Sequence, residues 1–147
     1  MPEAWNLPRK GTSEDPLRLA VLISGSGSGM EALLRHQQNS DCSHITNVVI
    51  SDRIDAGGLA KAEALGVTAV AVPLPDIEDR EQRRIAHEKE VGEVLADHGV
   101  EVVILSGYMR LLTPSFVAPW AGRILNIHPS LLPDFPGAHA HRDVIAA

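Results

Sequence analysis

The chain contains a single cysteine, Cys42, among its 147 residues. A disulfide framework needs pairs, and a thiolate metal cluster needs several sulfurs, so both are excluded. Cys42 reads as a small, partly buried filler. Basic residues are in the minority, 13 Lys and Arg against 19 Asp and Glu, for a net charge of −6. A broad nucleic-acid footprint requires clustered cations facing phosphates, so this balance argues against one and leaves room only for a local anion site. No apolar run reaches membrane-spanning length, and the opening "MPEAWNLPRKGTSEDP" lacks the apolar middle of a signal peptide. Residues Met1–Pro16 therefore read as a mobile, disordered extension. The default location is the cytoplasm. A hydrophobic fraction of 44% beside 22% charged residues is ordinary for a globular chain of one-domain length.

From Leu17 onwards apolar runs alternate with helical patterns. Strands are expected at Leu17–Ser24, His44–Ser51, Val67–Val72, Val100–Ser106 and Arg123–Ile127. Between them, "MEALLRHQQ" reads as a helix with Leu33 and Leu34 inward, and "GGLAKAEALG" as a short helix closed by Gly66. Asp79–His98 reads as a long charged helix whose apolar stripe is Ile85, Val91, Val94 and Leu95, and a short helix is expected around Ser115–Trp120. Near-continuous Val, Ile and Leu strands separated by helices predict an α/β domain with a doubly wound, mostly parallel sheet. Ligands of such sheets bind outside the carboxyl ends of the strands. The chemistry-bearing residues fall at those ends: a glycine loop after the first strand, Asp52 after the second, "GYMR" after the fourth, and Asn126 and His128 on and just after the fifth.

The loop "SGSGSGM" places Gly25, Gly27 and Gly29 directly before a helix. Glycines bring backbone N–H groups close to an anion, and a helix N-terminus adds unpaired donors and partial positive charge, so a phosphate is the natural guest. The loop lacks the Gly-Lys-Ser/Thr ending of a P-loop, and Met30 occupies the last glycine of a dinucleotide fingerprint. Asp52 could still serve as the ribose-binding acid of such a site, and a tight turn with no ligand is the plain alternative. Asn126 and His128 stand two apart on an extended chain, so they share a face, and Pro129, Pro133 and Pro136 stiffen the adjoining stretch of chain. An amide N–H and an imidazole on one rigid face suit acyl transfer, where a carbonyl oxygen becomes an oxyanion and a proton must move. The alternative is a turn cap and a satisfied core histidine. His139 and His141, with Asp134 or Asp143, have no recognised zinc spacing, and His36, His44, His87 and His98 read as ordinary surface histidines.

"NIHPSLLPDFPGAHAHR", with "VLISGSGSGMEALL" and "SGYMRLL", resembles the phosphoribosylglycinamide formyltransferase family of de novo purine synthesis, from about Leu17 to Ala147. The resemblance implies a formyltransferase (Rossmann-like) domain over 17–147. It also implies transfer of a formyl group from 10-formyltetrahydrofolate to the glycyl amine of glycinamide ribonucleotide, without a metal. Gly27, Ser28 and Gly29 would hold the phosphate, and Asn126 and His128 would be catalytic. Arg84, Met109, Arg110, Leu111, Leu112 and Asn126 would border the folate. Small-molecule substrates, no nucleic acid and no membrane are the expected partners, and a homodimer is allowed. Two departures stand out. Gly29 occupies a position where the family commonly carries Asn, which removes a side-chain donor. The family also continues beyond the equivalent of Ala147 with further strands and an Asp that pairs with the histidine, so a fragment lacking its C-terminal strands is expected. Related readings are methionyl-tRNA formyltransferase, formyltetrahydrofolate hydrolase, or a non-catalytic nucleotide-binding module.

Overall fold

The structure is a computed structural model that describes residues 8–127. His128, Asp134, His139, His141 and Asp143 lie outside the described residues. The elements run β1 (Leu17–Ile23), α1 (Ser28–Gln37), β2 (His44–Ser51), α2 (Gly57–Ala64), β3 (Thr68–Ala71), α3 (Arg80–Asp97), β4 (Val102–Ser106), α4 (Pro114–Val117) and β5 (Ile124–Ile127). A single 3₁₀ turn, Ala118–Trp120, precedes β5. All strand pairs are parallel, in the order β3-β2-β1-β4-β5. The chain winds outward from β1 to β3, crosses back through α3, and winds the other way from β4. β1 and β4 are therefore neighbours whose loops diverge, which makes their carboxyl ends the crevice of the fold.

The strands are apolar on both sides because both faces are covered. One core holds Leu22, Ile50, Val72 and Leu105 against Val91 and Leu95 of α3 and Phe116 of α4. The other holds Val21, Ile23, Val49 and Ile104 against Met30 and Leu34 of α1 and Ala62 of α2. Local signals explain the helix ends. Asp79 caps α3 by accepting from the Glu81 N–H at 3.2 Å. After α2 the chain turns at Gly66 with φ of 81°, where the Gly66 and Val67 N–H groups donate to the carbonyls of Glu63 and Ala62. That is the paired closure of a Schellman end, and it needs a residue free to adopt positive φ.

Several expectations are corrected. β1, β3, β4 and β5 are one to two residues shorter at one or both ends than their apolar runs, and α1 begins two residues before Met30. In α1 the inward pair is Met30 and Leu34, with Leu33 only half-buried, because positions four apart share a face. In α3, Ile85 is 48% exposed, and His87 and Glu88 are buried in its place. His87 is thus no surface histidine: its Nε2 lies 2.7 Å from the Val72 carbonyl oxygen, which satisfies the ring inside the core. His44 and His98 are half-buried, and His98 Nδ1 lies 2.8 Å from the Val94 carbonyl oxygen. Of the N-terminal extension, residues 8–16 rest on the domain. Arg9 donates through Nε and Nη2 to the Glu101 carboxylate at 2.7 and 3.0 Å, and the same carboxylate accepts the Arg18 N–H at 2.9 Å.

Candidate active site

Two adjoining clefts occupy the crevice. The first, about 290 Å³, is lined by Ser24–Gly29, Arg53, Ser106, Gly107 and Met109. Its floor is the glycine loop between β1 and α1. Gly27 is the N-cap of α1 with φ of 68°, and among the described residues no side chain caps the helix. The first intrahelical bond runs from the Glu31 N–H to the Gly27 carbonyl at 2.7 Å. The N–H groups ahead of it have no intrahelical acceptor, so the helix start offers donors and the positive end of its dipole. The loop is pressed against α2: the Gly58 N–H donates to the Gly25 carbonyl at 3.0 Å, and a Cβ on Gly27 would stand 3.2 Å from the Gly58 Cα. Arg53, exposed beside this loop and 3.3 Å from Asp55, adds a cation to the rim.

The second cleft, about 370 Å³, lies between α3 and the loop after β4. Arg80, Arg83 and Arg84 line it from one face of α3, opposite Met109, Arg110, Leu111 and Leu112. Its rim is therefore cationic along α3, and opposite it the exposed Met109 and Leu111 (78% and 79%) flank Arg110. Such a rim fits a flat apolar ligand with an anionic end.

The loop between the clefts is tied down at three points. The Met109 N–H donates to Ser24 Oγ at 2.8 Å, joining the end of β1 to the end of β4. The Arg110 Nε donates to Asp52 Oδ2 at 3.0 Å, while Asp52 Oδ1 is buried without a partner among the described residues. The Glu88 carboxylate accepts from both the N–H (2.8 Å) and the hydroxyl of Thr113. Tyr108, just ahead of the first anchor, has its phenol pushed well above the ordinary range by burial and then by the charge of Asp52, so it stays protonated.

The structure brings Gly27, Ser28, Gly29 and Met109 together in one cleft, and Arg84 and Met109–Leu112 in the other. Met109 borders both. Asn126 is half-buried on β5, opposite Leu105 of β4, and lines neither cleft. Asp52, the candidate ribose acid, is instead the partner of Arg110. Sequence reasoning missed Arg53, Arg80, Arg83, Glu88 and Gly58. Arg53 directly follows Asp52 at a strand end, and that position is a signal the sequence carries. Glu88 sits in "REQRRIAHEKE", where nothing separates a buried carboxylate from its exposed neighbours.

The sequence model described as Formyl transferase matches residues 17–147. The chain is 36% identical over 129 residues to the phosphoribosylglycinamide formyltransferase of Escherichia coli (strain K12), covering 88% of this chain and 59% of that protein. It is 40% identical over 131 residues to the trifunctional purine biosynthetic protein adenosine-3 of Bos taurus, covering 88% of this chain and 12% of that one. Among solved structures, phosphoribosylglycinamide formyltransferase from Brucella melitensis superposes with a TM-score of 0.72 at 44% identity, covering 89% of this chain and 66% of the other. The chain thus spans less than two thirds of the length of each of these relatives.

Proposed function

The chain belongs to the formyl transferase family, and we propose that it moves a formyl group from 10-formyltetrahydrofolate to the amine of 5′-phosphoribosylglycinamide, a step of de novo purine biosynthesis. The observation that carries this reading is the pair of clefts sharing Met109 at the β1–β4 crevice. One has the donors for a phosphate, and the other has the apolar wall and cationic rim for a pterin bearing a carboxylate tail.

In this reading the backbone of Gly27, Ser28 and Gly29 grips the phosphate. With Gly29 in place of Asn, this grip relies on N–H groups and the helix dipole rather than on a side-chain amide. Arg53 adds charge from the rim. Arg84 and Arg110 face the acidic end of the folate, and Met109, Leu111 and Leu112 pack on its ring. When bound, the folate supplies the formyl carbon. As the amine attacks, charge develops on the formyl oxygen, where the Asn126 amide can donate. The bond from the formyl carbon to N10 of the folate then breaks, and His128 can pass the proton lost by the amine to N10 of the departing tetrahydrofolate. Half-buried Tyr108 keeps its proton and contributes a fixed dipole rather than a charge.

A cytoplasmic location, small-molecule partners only, and a homodimer as an allowed assembly go with this reading. The net charge of −6 supports the exclusion of nucleic acid. Among the described residues, no helix is long and apolar enough to cross a membrane. The test is product analysis on the 147-residue chain supplied with both substrates. Formylated ribonucleotide is the expected product. Formate released without the amine substrate would favour a hydrolase, and neither product with both ligands bound would remove the catalytic proposal.

A further inference from the structure

A second group of chemistry-bearing residues lies at the other end of the sheet. α1 ends in a turn in which the Gln38 N–H donates to Arg35, the Asn39 N–H to His36, and the Cys42 N–H to Asn39 at 3.0 Å. This turn folds Cys42 back over the last turn of α1, and β2 begins two residues later at His44. The bend at Ser43 brings Cys42 Sγ within 3.5–3.6 Å of both His44 ring nitrogens, beside His36. One donor atom from each of His36, Cys42 and His44 lies within 4.8 Å of the others. The two imidazoles stack with centroids 5.9 Å apart.

We propose that His36, Cys42 and His44 form a binding site for a zinc-class divalent cation, with the fourth position open to water. Cys42 Sγ and His44 Nε2 are 3.5 Å apart. With Zn–S of about 2.3 Å and Zn–N of about 2.0–2.1 Å, a tetrahedral angle places the two ligand atoms about 3.5 Å apart, so this pair already has the required spacing. His36 is exposed and completes the set by a side-chain rotation at the helix end, whereas Cys42 and His44 are half-buried and held. One thiolate and two imidazoles select zinc-like ions over magnesium or calcium, which prefer oxygen.

The surroundings orient the set. The Gln37 carboxamide lies 2.8 Å from His44 Nδ1 and 2.8 Å from Thr46 Oγ1. Its oxygen and nitrogen can exchange places within the same contacts. With the oxygen toward His44, the Nδ1–H is donated to Gln37 and Nε2 is left free for the ion, which is the outer-layer arrangement that metal-bound histidines show. The site stands at the start of β2, and the clefts open beyond its end at Ser51. Eight strand residues separate them by about 25 Å. The ion therefore fastens the α1–β2 corner and takes no part in transfer chemistry.

The test is titration of the reduced, metal-free chain with Co²⁺. Cys42 is the only cysteine of the 147 residues, so a thiolate-to-cobalt charge-transfer band reports this site alone. The expected result is a band that saturates at one equivalent, with tetrahedral visible absorption, and is bleached by Zn²⁺. His36→Ala, at an exposed position that leaves the fold intact, should weaken cobalt binding at least tenfold. Gln37→Ala should weaken it by about tenfold, the usual effect of an outer-layer partner. No thiolate band in the folded chain at saturating Co²⁺, or a band whose affinity is indifferent to His36→Ala, would overturn the proposal.

Discussion

Glu88 and Thr113 offer the sharpest energetic test of how the second cleft is held open. Glu88 is 8% exposed, and its carboxylate takes both the N–H and the hydroxyl of Thr113, locking α3 to the end of the Met109–Leu112 loop. Hydrogen bonds to a charged group contribute about 1.5–3 kcal/mol each, and two donors on one carboxylate share that stabilisation. Glu88→Ala should cost about 3 kcal/mol, since it removes both bonds and the packing of the side chain. Thr113→Val removes the hydroxyl, which also caps α4 by accepting the Phe116 N–H at 3.3 Å, and should cost about 2 kcal/mol. In the double variant the hydroxyl has no carboxylate left to lose, so the two costs should fall short of additivity by about 1 kcal/mol. Urea unfolding followed by circular dichroism measures all four chains, with the slope as a check that the unfolded state is unchanged. Additivity within about 0.3 kcal/mol would refute the coupling. In the same variants, affinity for 10-formyltetrahydrofolate should fall while that for the ribonucleotide holds.

Other perturbations probe other contacts. Gly27→Ala forces a side chain into positive φ, with its Cβ 2.8 Å from the Met30 Cε. It should cost about 1–2 kcal/mol of stability and weaken phosphate binding, as denaturation and calorimetry would show. Asp52→Asn removes the charge facing Arg110; with Asp52 buried (side chain 2% exposed) and Arg110 44% exposed, stability should fall by about 1–2 kcal/mol while folate affinity drops measurably. The Glu101 carboxyl lies below its ordinary 4.5, chiefly through its hydrogen bond from Arg9, then through the Arg18 N–H and both arginine charges, with burial opposing. A depressed carboxyl stabilises the fold above its unfolded value and loses that stabilisation as pH falls through its folded value. Arg9→Ala should therefore flatten the acid limb of a Tm-against-pH curve, and an unchanged limb would remove Arg9 from the N-terminal contact.

The sheet was readable because buried parallel strands are apolar almost throughout, so "LRLAVLIS" and "VEVVILS" admit little else. The glycine loop was readable as a tight strand-to-helix turn because its glycines allow positive φ there. Polar burial, by contrast, left no local trace. His87 looked like a surface histidine because its partner, the Val72 carbonyl, is a backbone atom fifteen residues away. Ile85 looked buried because periodicity alone cannot show that α3 turns its polar face to a cleft. A ribose role stayed open for Asp52 because only the folded chain shows Arg110 beside it, 58 residues on. Local pattern marks elements and loops, and pairings across such separations are set by topology.

The uncapped start of α1 stands or falls as a phosphate site on calorimetric titration of the chain with 5′-phosphoribosylglycinamide and with the same compound lacking its phosphate. Losing the phosphate should weaken binding by roughly 10- to 100-fold, the equivalent of about 1.4–3 kcal/mol of charge-assisted hydrogen bonding. Gly27→Ala should remove most of that difference. Equal affinity for the two compounds would contradict the assignment and leave the glycine loop as a turn.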